Sequence, residues 1–181
     1  MTSMAEIKPI HIIGQGAWDN RFLDLAAFIA SWSKDPSTKC GAVITCGNSI
    51  LSVGYNGFPK GIEDDDRLKD RKKKYPRIVH AEVNALIHAG KLPFMSMGTV
   101  AFGTVATLYT WPFQPCADCT KHLIQAGIHR VVAPICTNDE ISERWKTSTN
   151  IAADMFREAG VTLLLKTETE EQEMKRGFIG A

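Results

Sequence analysis

Two short segments constrain the fold most, because each stands where a predicted helix begins: His80-Ala81-Glu82 and Pro115-Cys116-Ala117-Asp118-Cys119. Apolar residues at helical spacing follow both segments, and a glycine closes each predicted helix, Gly90 in the first and Gly127 in the second. One imidazole and two thiols therefore lie at the amino-terminal ends of two helices. If they act together, the fold must bring these two helix ends to one point.

The residue types and their number fit a catalytic zinc site. Such a site uses three protein ligands, commonly imidazole and thiolate, and keeps a fourth tetrahedral position for water. Cys116 and Cys119 are three residues apart and share a helix face, where the positive end of the helix dipole stabilises thiolates. Glu82 lies two residues after His80 and can carry a proton between water and a substrate. We therefore predict one catalytic Zn²⁺ per chain, with Glu82 as the acid–base residue.

Other interpretations of these motifs account for fewer of the residues. A CxxC pair alone is also typical of a redox centre or of half a structural zinc site. A redox centre leaves His80 and Glu82 without a role. A structural site lacks a fourth ligand, since His122 follows Cys119 by only three residues and does not form a separate ligand pair. The remaining three cysteines are predicted to be small core residues: Cys40, Cys46 and Cys136.

Composition narrows the class of protein. The chain has 181 residues and a formal net charge of +1, which fits one domain, predicted as 1–181 with a core of about 18–166. A near-neutral charge argues against a partner that is a long nucleic acid. No apolar run approaches the roughly 20 residues that span a bilayer, and the amino terminus lacks the features of a signal peptide. The odd number of cysteines argues against a disulfide framework, so we expect a cytoplasmic protein without a membrane partner.

Hydrophobic periodicity predicts alternating helices and strands around the two motif helices. The resulting order, α-β-β-α-β-α-β-α-β, is typical of an α/β protein with a three-layer α/β/α architecture and a five-stranded mixed sheet. The predicted motif helices are His80–Ala89 and Cys116–Ala126. The other predicted elements are a helix over Asn20–Ser33, a hairpin of Gly41–Thr45 and Ile50–Tyr55, a strand within Thr99–Thr110, a strand over Val131–Ile135, a helix over Glu140–Ala159 and a strand over Val161–Lys166.

A polar connection, residues 57–77, separates the hairpin from the first motif helix. Its part from Lys60 to Arg77 holds eight basic and five acidic residues, a net charge of +3. Two interpretations stay open: a solvated loop with a short helix, or a flap that faces a phosphate group. Lys34, beside the end of the first helix, is a second candidate cation for such a phosphate.

Several segments match the motifs of a known superfamily. Residues 33–42 are similar to S-K-D-P-x-x-x-V-G-A with Cys40 in place of the valine, and residues 54–57 match G-Y-N-G. Residues 74–85 resemble K-Y…H-A-E-x-N-A, and residues 115–128 resemble P-C-x-x-C…I-I-Q-x-G-I. The H-x-E…P-C-x-x-C pattern is a signature of zinc-dependent nucleobase deaminases. From about Trp18 to Leu165 the chain resembles the cytidine and deoxycytidylate deaminases, and within them the dCMP deaminases.

The resemblance implies a cytidine deaminase-like domain that hydrolyses dCMP to dUMP and ammonia in pyrimidine deoxynucleotide metabolism. Zinc would be bound by His80, Cys116 and Cys119, and Glu82 would be the proton shuttle. The resemblance also implies contacts with the nucleotide substrate from five positions: Lys34, Asp35, Asn56, Ala81 through its backbone N–H, and Pro115 in the turn that follows Trp111-Pro112-Phe113.

The same resemblance implies assembly and regulation. Related enzymes form homo-oligomers, often hexamers, and respond to dCTP and dTTP near the G-Y-N-G segment. The corresponding residues here are Gly54, Tyr55 and Gly57.

Two alternative functions remain at the level of the sequence. The first is a deaminase of another substrate, such as free cytidine, a guanine-type base or adenosine in tRNA, although a tRNA enzyme needs a more basic surface. The second is a non-catalytic zinc-binding interaction module, which has no use for an acid at Glu82.

Overall fold

The structure, a computed structural model, describes residues 15–90, 105–136 and 139–167 of the chain. The strands are β1 (Gly41–Cys46), β2 (Ser49–Tyr55), β3 (Ala106–Trp111), β4 (Arg130–Pro134) and β5 (Thr162–Lys166). The helices are α1 (Gln15–Ala30), α2 (Arg71–Lys74), α3 (Ala81–Ala89), α4 (Ala117–Gln125) and α5 (Asp139–Glu158), with a 3-10 turn at Asp66–Lys69.

The five strands form one mixed sheet in the order β2-β1-β3-β4-β5. Strand β1 pairs antiparallel with both β2 and β3, and the β1–β2 hairpin turns at Gly47, which has a φ of 55°. Strands β3, β4 and β5 are parallel, because α4 and α5 provide the crossover connections that parallel pairing needs. The predicted hairpin and mixed sheet are confirmed.

Helices cover both faces of the sheet, which confirms the three-layer α/β/α architecture. On one face, the apolar side of α1 packs against side chains from three strands: Phe22, Leu23 and Ala26 meet Val43, Tyr109 and Val132. On the other face, the neighbouring strand positions point to the opposite side. There Ala42, Ile44, Leu108 and Val131 pack against residues of α3, α4 and α5: Ala85, Leu123 and Phe156.

Most predicted boundaries differ from the observed ones by one or two residues. Helix α1 is the main exception, since it begins at Gln15, where Trp18 stacks on Phe22 with 5.5 Å between ring centroids. It ends at Ala30, and residues 31–33 continue as turns. The predicted strand over Thr99–Thr110 is β3, although its first part, residues 99–104, lies outside the described residues.

A glycine in β2 lets α3 approach the sheet closely. A Cβ atom on Gly54 would lie 2.4 Å from both the Ala81 carbonyl oxygen and the Ala85 backbone nitrogen. A side chain at this position would therefore displace the helix whose first residues include Glu82.

In the part of the chain that the structure describes, no helix combines the length and the apolar character that crossing a membrane requires.

Candidate active site

The starts of α3 and α4 meet on one side of the sheet. His80 is the N-cap residue of α3, and Cys116 is the N-cap residue of α4. Both were expected in the first helical turn, and both lie directly before it. Both have extended backbones, with ψ angles of 155° and 168°, and neither side chain caps its own helix. The His80 Nδ1 atom lies 3.5 Å from the Cys116 Sγ atom and 3.3 Å from the Cys119 Sγ atom.

These three donor atoms fit a zinc ion. Tetrahedral zinc with ordinary Zn–N and Zn–S bond lengths separates nitrogen from sulfur by about 3.6 Å, close to both distances above. Within the described ranges, His80, Cys116 and Cys119 are the only group of three or more potential ligands close enough to share an ion. His122 does not join them, since its Nδ1 atom lies 2.8 Å from the Asp118 carbonyl oxygen. The donor set therefore matches the predicted catalytic site, with three protein ligands.

Hydrogen bonds among the three donor side chains stabilise the thiolate form of Cys116. The pKa of the Cys116 thiol falls to about 4, first because the Cys119 thiol donates a hydrogen bond to it and then because His80 does. The hydrogen bond to Cys116 raises the pKa of His80 to about 9. The hydrogen bond that the Cys119 thiol donates to Cys116 raises the pKa of Cys119. Cation binding would replace these shared protons, because both cysteines bind zinc as thiolates.

Glu82 lies in the first turn of α3 and is only 8% exposed. Burial is the main cause that raises the pKa of its carboxyl group, and His80 partly offsets this effect. The carboxyl group also interacts with the Cys119 thiol. A carboxyl group with a raised pKa beside the donor set is suited to accept a proton and to return it.

Both His80 and Glu82 line a cavity that has an aromatic wall. Phe113 and Trp145 lie 6.4 Å apart between ring centroids, and Tyr75 approaches Trp145 edge-on at the same distance. Trp111 also lines the cavity, so both ends of the segment Trp111-Pro112-Phe113 lie beside it. Flat apolar side chains of this kind are typical of pockets that hold a planar ring.

A buried polar network forms another part of the wall. The Lys74 ammonium lies 2.8 Å from the Asp35 Oδ1 atom, and both side chains are 3% exposed. The Asn56 amide donates to the Thr38 carbonyl oxygen at 2.9 Å, and its Oδ1 atom accepts from the Cys40 N–H at 2.7 Å. Asn56 thus fixes the loop before β1 as well as lining the cavity.

Three cationic side chains line this cavity, and Lys34 is not brought to it. The Lys34 ammonium lies 2.9 Å from the Asp64 Oδ2 atom, and its side chain is 73% exposed. The cavity cations are Arg71 and Lys74 of α2 and Arg144 of α5. The basic stretch of the polar connection thus includes cavity residues, while others of its cations, such as Lys69, form exposed ion pairs.

The other predicted site residues have varied positions. Ala81 and Pro115 are buried next to the ligands His80 and Cys116. In the G-Y-N-G segment, Tyr55 is exposed, and Gly57 forms a backbone bridge with Val79. Cys40 is partly buried and lines the cavity, which the prediction of a simple core residue did not anticipate.

Sequence reasoning missed the contribution of α5. Arg144 and Trp145 line the cavity from a helix that follows the second metal motif, and no motif marked them. The signal for Arg71 and Lys74 was the charge of the polar connection, but it did not distinguish them from six other bases.

Comparisons with known proteins agree with the geometry. The family described as "Cytidine and deoxycytidylate deaminase zinc-binding region" matches residues 16–135. The "Uncharacterized deaminase in luxG 3′region" of Aliivibrio fischeri is 40% identical over 145 residues, which are 80% of this chain and 90% of that protein. The deoxycytidylate deaminase of Mus musculus is 34% identical over 154 residues, which are 80% of this chain and 77% of that protein.

A solved structure supports the fold. The dCMP deaminase of the cyanophage S-TIM5, in complex with dCMP and dUMP, aligns with a TM-score of 0.59 and 24% identity, covering 86% of this chain and all of that one. The family match extends over both metal motifs and most of the sheet. On this evidence, the chain is a member of the cytidine and deoxycytidylate deaminase family.

Proposed function

We propose that the chain catalyses the zinc-dependent hydrolytic deamination of dCMP to dUMP and ammonia, and so supplies the precursor of thymidylate. The observation that carries the proposal is the buried carboxyl group of Glu82 beside the His80, Cys116 and Cys119 donor atoms, at the wall of an aromatic cavity. The deoxycytidylate deaminases among the relatives support the choice of substrate.

In this proposal, bound zinc supplies a Lewis acid that lowers the pKa of water to roughly 7. The Glu82 carboxylate accepts a proton from the attacking water and delivers it to N3 of the cytosine ring as the water oxygen bonds to C4. Glu82 then accepts the remaining proton from the C4 hydroxyl and delivers it to the amino group. The C4–N4 bond breaks as the C4=O bond forms, and ammonia leaves. The burial that raises the pKa of Glu82 favours the neutral form that each delivery step requires.

The chain's own residues also orient the base. The Ala81 N–H, at the first position of α3, donates to the oxygen of the pyrimidine ring, and Asn56 contacts the sugar or the base. Trp111, Phe113 and Trp145 present apolar surface that shields the ring from bulk water. This wall is suited to the base of a single nucleotide.

The 5′-phosphate is assigned to Arg71 and Arg144. Both line the cavity, and neither side chain has an acidic partner among the described residues. Guanidinium groups bind phosphate oxygens through paired N–H donors, and two of them match a group that carries nearly two negative charges. The assignment replaces Lys34, whose charge is already paired with Asp64.

These features weigh against the alternatives. Two cavity arginines that have no acidic partner in the described part of the chain favour a nucleotide over free cytidine or a guanine-type base. The burial of the Glu82 carboxyl group costs free energy. In a non-catalytic zinc module, this cost would have no functional benefit. The metal site therefore supports an enzyme more strongly than an interaction module.

The proposal extends to location and assembly. We expect a cytoplasmic homo-oligomer, with a hexamer as the form that the family resemblance implies, and control by dCTP and dTTP near Gly54, Tyr55 and Gly57. The five thiols, none of which is in a disulfide, suit a reducing compartment.

A substrate panel tests the proposal directly. Ammonia release is measured for dCMP, dCTP, deoxycytidine, cytidine, cytosine, guanine and adenosine with the zinc-loaded chain. We expect the kcat/KM for dCMP to exceed that for deoxycytidine by at least about tenfold, which is about 1.4 kcal/mol of transition-state binding. Equal use of both substrates at low salt would assign the chain to the nucleoside deaminases, and no turnover of any substrate would favour the interaction module.

A further inference from the structure

The buried ion pair between Asp35 and Lys74 joins two separate segments of the chain. Asp35 lies in the loop between α1 and β1, and Lys74 ends α2, 39 residues later. The Nζ–Oδ1 distance is 2.8 Å, and both side chains are 3% exposed. The pair therefore links α2 to a loop whose residues Asp35, Ser37 and Thr38 also line the cavity.

The loop holds Asp35 in place from its own side. The Asp35 Oδ1 atom accepts hydrogen bonds from the Ser37 N–H at 2.8 Å and the Thr38 N–H at 3.3 Å, and Asn56 approaches the Oδ2 atom at 3.4 Å. Asp35 is thus a fixed acceptor, and Lys74 is the group that must reach it.

Helix α2 links Lys74 to the proposed phosphate site. Arg71 precedes Lys74 by three residues, so the two side chains share a face of this single turn. Tyr75, which follows directly, is part of the aromatic wall. Any movement of Lys74 away from Asp35 would carry Arg71 and Tyr75 with it.

A contribution to stability does not by itself explain a buried pair of this kind. The cost of removing two charges from water can exceed their attraction, and well-packed neutral replacements are often as stable. A role in positioning α2 would explain why Asp35 and Lys74 are charged and buried, which a contribution to stability does not explain.

We propose that Asp35 and Lys74 form a positioning pair that holds α2 against the cavity, so that Arg71 can bind the substrate phosphate. The identity of the substrate in this inference rests on the proposed function. The effect on α2 rests on the ion pair alone. Lys74 acts here through Arg71, as a positioning residue.

A second ion pair between the same two segments provides a matched control. Lys34 and Asp64 also join the loop after α1 to the polar connection, at 2.9 Å, but their side chains are 73% and 30% exposed. Exposed pairs contribute little to stability or to position. The variant Asp64→Asn breaks this link without a change in any residue that lines the cavity.

The test compares Asp35→Asn/Lys74→Met, which replaces the buried pair by neutral groups of similar size, with Asp64→Asn and with the unaltered chain. We expect the double variant to fold and to keep its zinc, while the KM for dCMP rises at least about tenfold and kcat changes less than about threefold. The kcat/KM for deoxycytidine, which has no phosphate, should fall by a smaller factor than the kcat/KM for dCMP. Asp64→Asn should leave all these constants unchanged.

Arg71→Gln then distinguishes positioning from independent binding. If the pair acts through Arg71, this substitution adds less than about twofold to the KM in the double variant, although it raises the KM of the unaltered chain about tenfold. If the factors by which Arg71→Gln and the double variant raise the KM multiply, the inference is wrong. An unchanged KM in the double variant would also overturn it.

Hydrogen exchange separates this inference from the proposed function. In the double variant, the amides of residues 73–75 and 77–79 should exchange faster than in the Asp64→Asn variant, whatever the substrate of the enzyme. A chain that does not turn over dCMP refutes the proposed function and leaves this measurement intact. Unchanged exchange refutes the positioning pair and leaves the activity intact.

Discussion

The His80 Nδ1 atom lies 3.3 Å from the Cys119 Sγ atom, although 39 residues separate them in the chain. The two residues belong to the starts of α3 and α4, which approach each other on one face of the sheet. Strand β3 lies between these helices in the sequence and pairs with β1 and β4, so the sheet links the two halves of the donor set.

The first prediction concerns the metal. The purified chain should contain about one zinc ion, and Cys116→Ala or Cys119→Ala should lose it, because two protein ligands hold zinc poorly in this geometry. Metal analysis after gel filtration measures the loss. Cys46→Ala, at the end of β1 and away from the ligands, should keep its zinc, and retention of zinc by the Cys116 variant would refute the ligand assignment.

The second prediction concerns Glu82. Glu82→Gln should fold and keep its zinc, but kcat should fall by a factor of about 10² to 10⁴, since the amide preserves the shape and cannot shuttle a proton. Steady-state kinetics and metal analysis on the same sample test this. The matched control is Asp118→Asn, an exposed acid in the first turn of α4, which should retain kcat within about threefold. A Glu82 variant with near-normal kcat would disprove the mechanism.

The third prediction concerns pH. Burial raises the pKa of Glu82, so its neutral form persists to a higher pH than in an exposed glutamate, whose pKa is about 4.3. Only the carboxylate accepts a proton from water, so kcat/KM should rise as the pH rises through this raised pKa. Deoxycytidine is the substrate to use, because the phosphate of dCMP itself titrates near about pH 6. A kcat/KM that does not fall as the pH becomes acidic would contradict the assignment of Glu82 as the base.

The fourth prediction concerns the two cavity arginines. Arg71→Gln and Arg144→Gln should each raise the KM for dCMP about tenfold and leave the constants for deoxycytidine almost unchanged. The preference for dCMP should also shrink as salt concentration rises, because partly exposed charges are screened. Arg157→Gln is the control, since Arg157 lies near the end of α5 in an exposed ion pair with Asp154. Equal effects on both substrates would show that these arginines do not bind the phosphate.

The fifth prediction concerns the contact between β2 and α3. Gly54→Ala places a methyl group 2.4 Å from backbone atoms of Ala81 and Ala85, so α3 must shift. The free energy of unfolding should fall by about 1–3 kcal/mol, and zinc should bind more weakly because His80 moves with the helix. Gly57→Ala has no atom within 4 Å of the added methyl group and should match the unaltered chain in thermal unfolding. If the two variants are equally stable, the close contact is not rigid.

The elements and the candidate metal ligands could be proposed from the sequence because their signals are local. Gly90, Gly127 and Gly160 all have positive φ angles, and each follows the end of a helix where the sequence predicted one. The spacing of His80, Glu82, Cys116 and Cys119 was sufficient to indicate a zinc site, and the structure brings the three ligands together as expected.

The cavity could not be predicted in the same way, because its residues meet only after folding. Lys34 and Lys74 both looked like candidate cations in the sequence, yet one is paired with Asp64 at the surface and the other is buried against Asp35. Arg144 lines the cavity from α5. Hydrophobic periodicity predicts that α5 is a helix, but it does not predict where the helix lies relative to the metal motifs. The predicted single domain of residues 1–181 stays a prediction, since the structure does not describe either end of the chain.

The anchoring of each ligand set at a helix start also has an evolutionary consequence. Because α3 and α4 hold their ligands independently, the chemistry does not fix the number of residues between Gly90 and Val105. Insertions and deletions there are therefore compatible with an intact active site. Searches for distant homologues should weight the two helix starts heavily and leave the gap between them free.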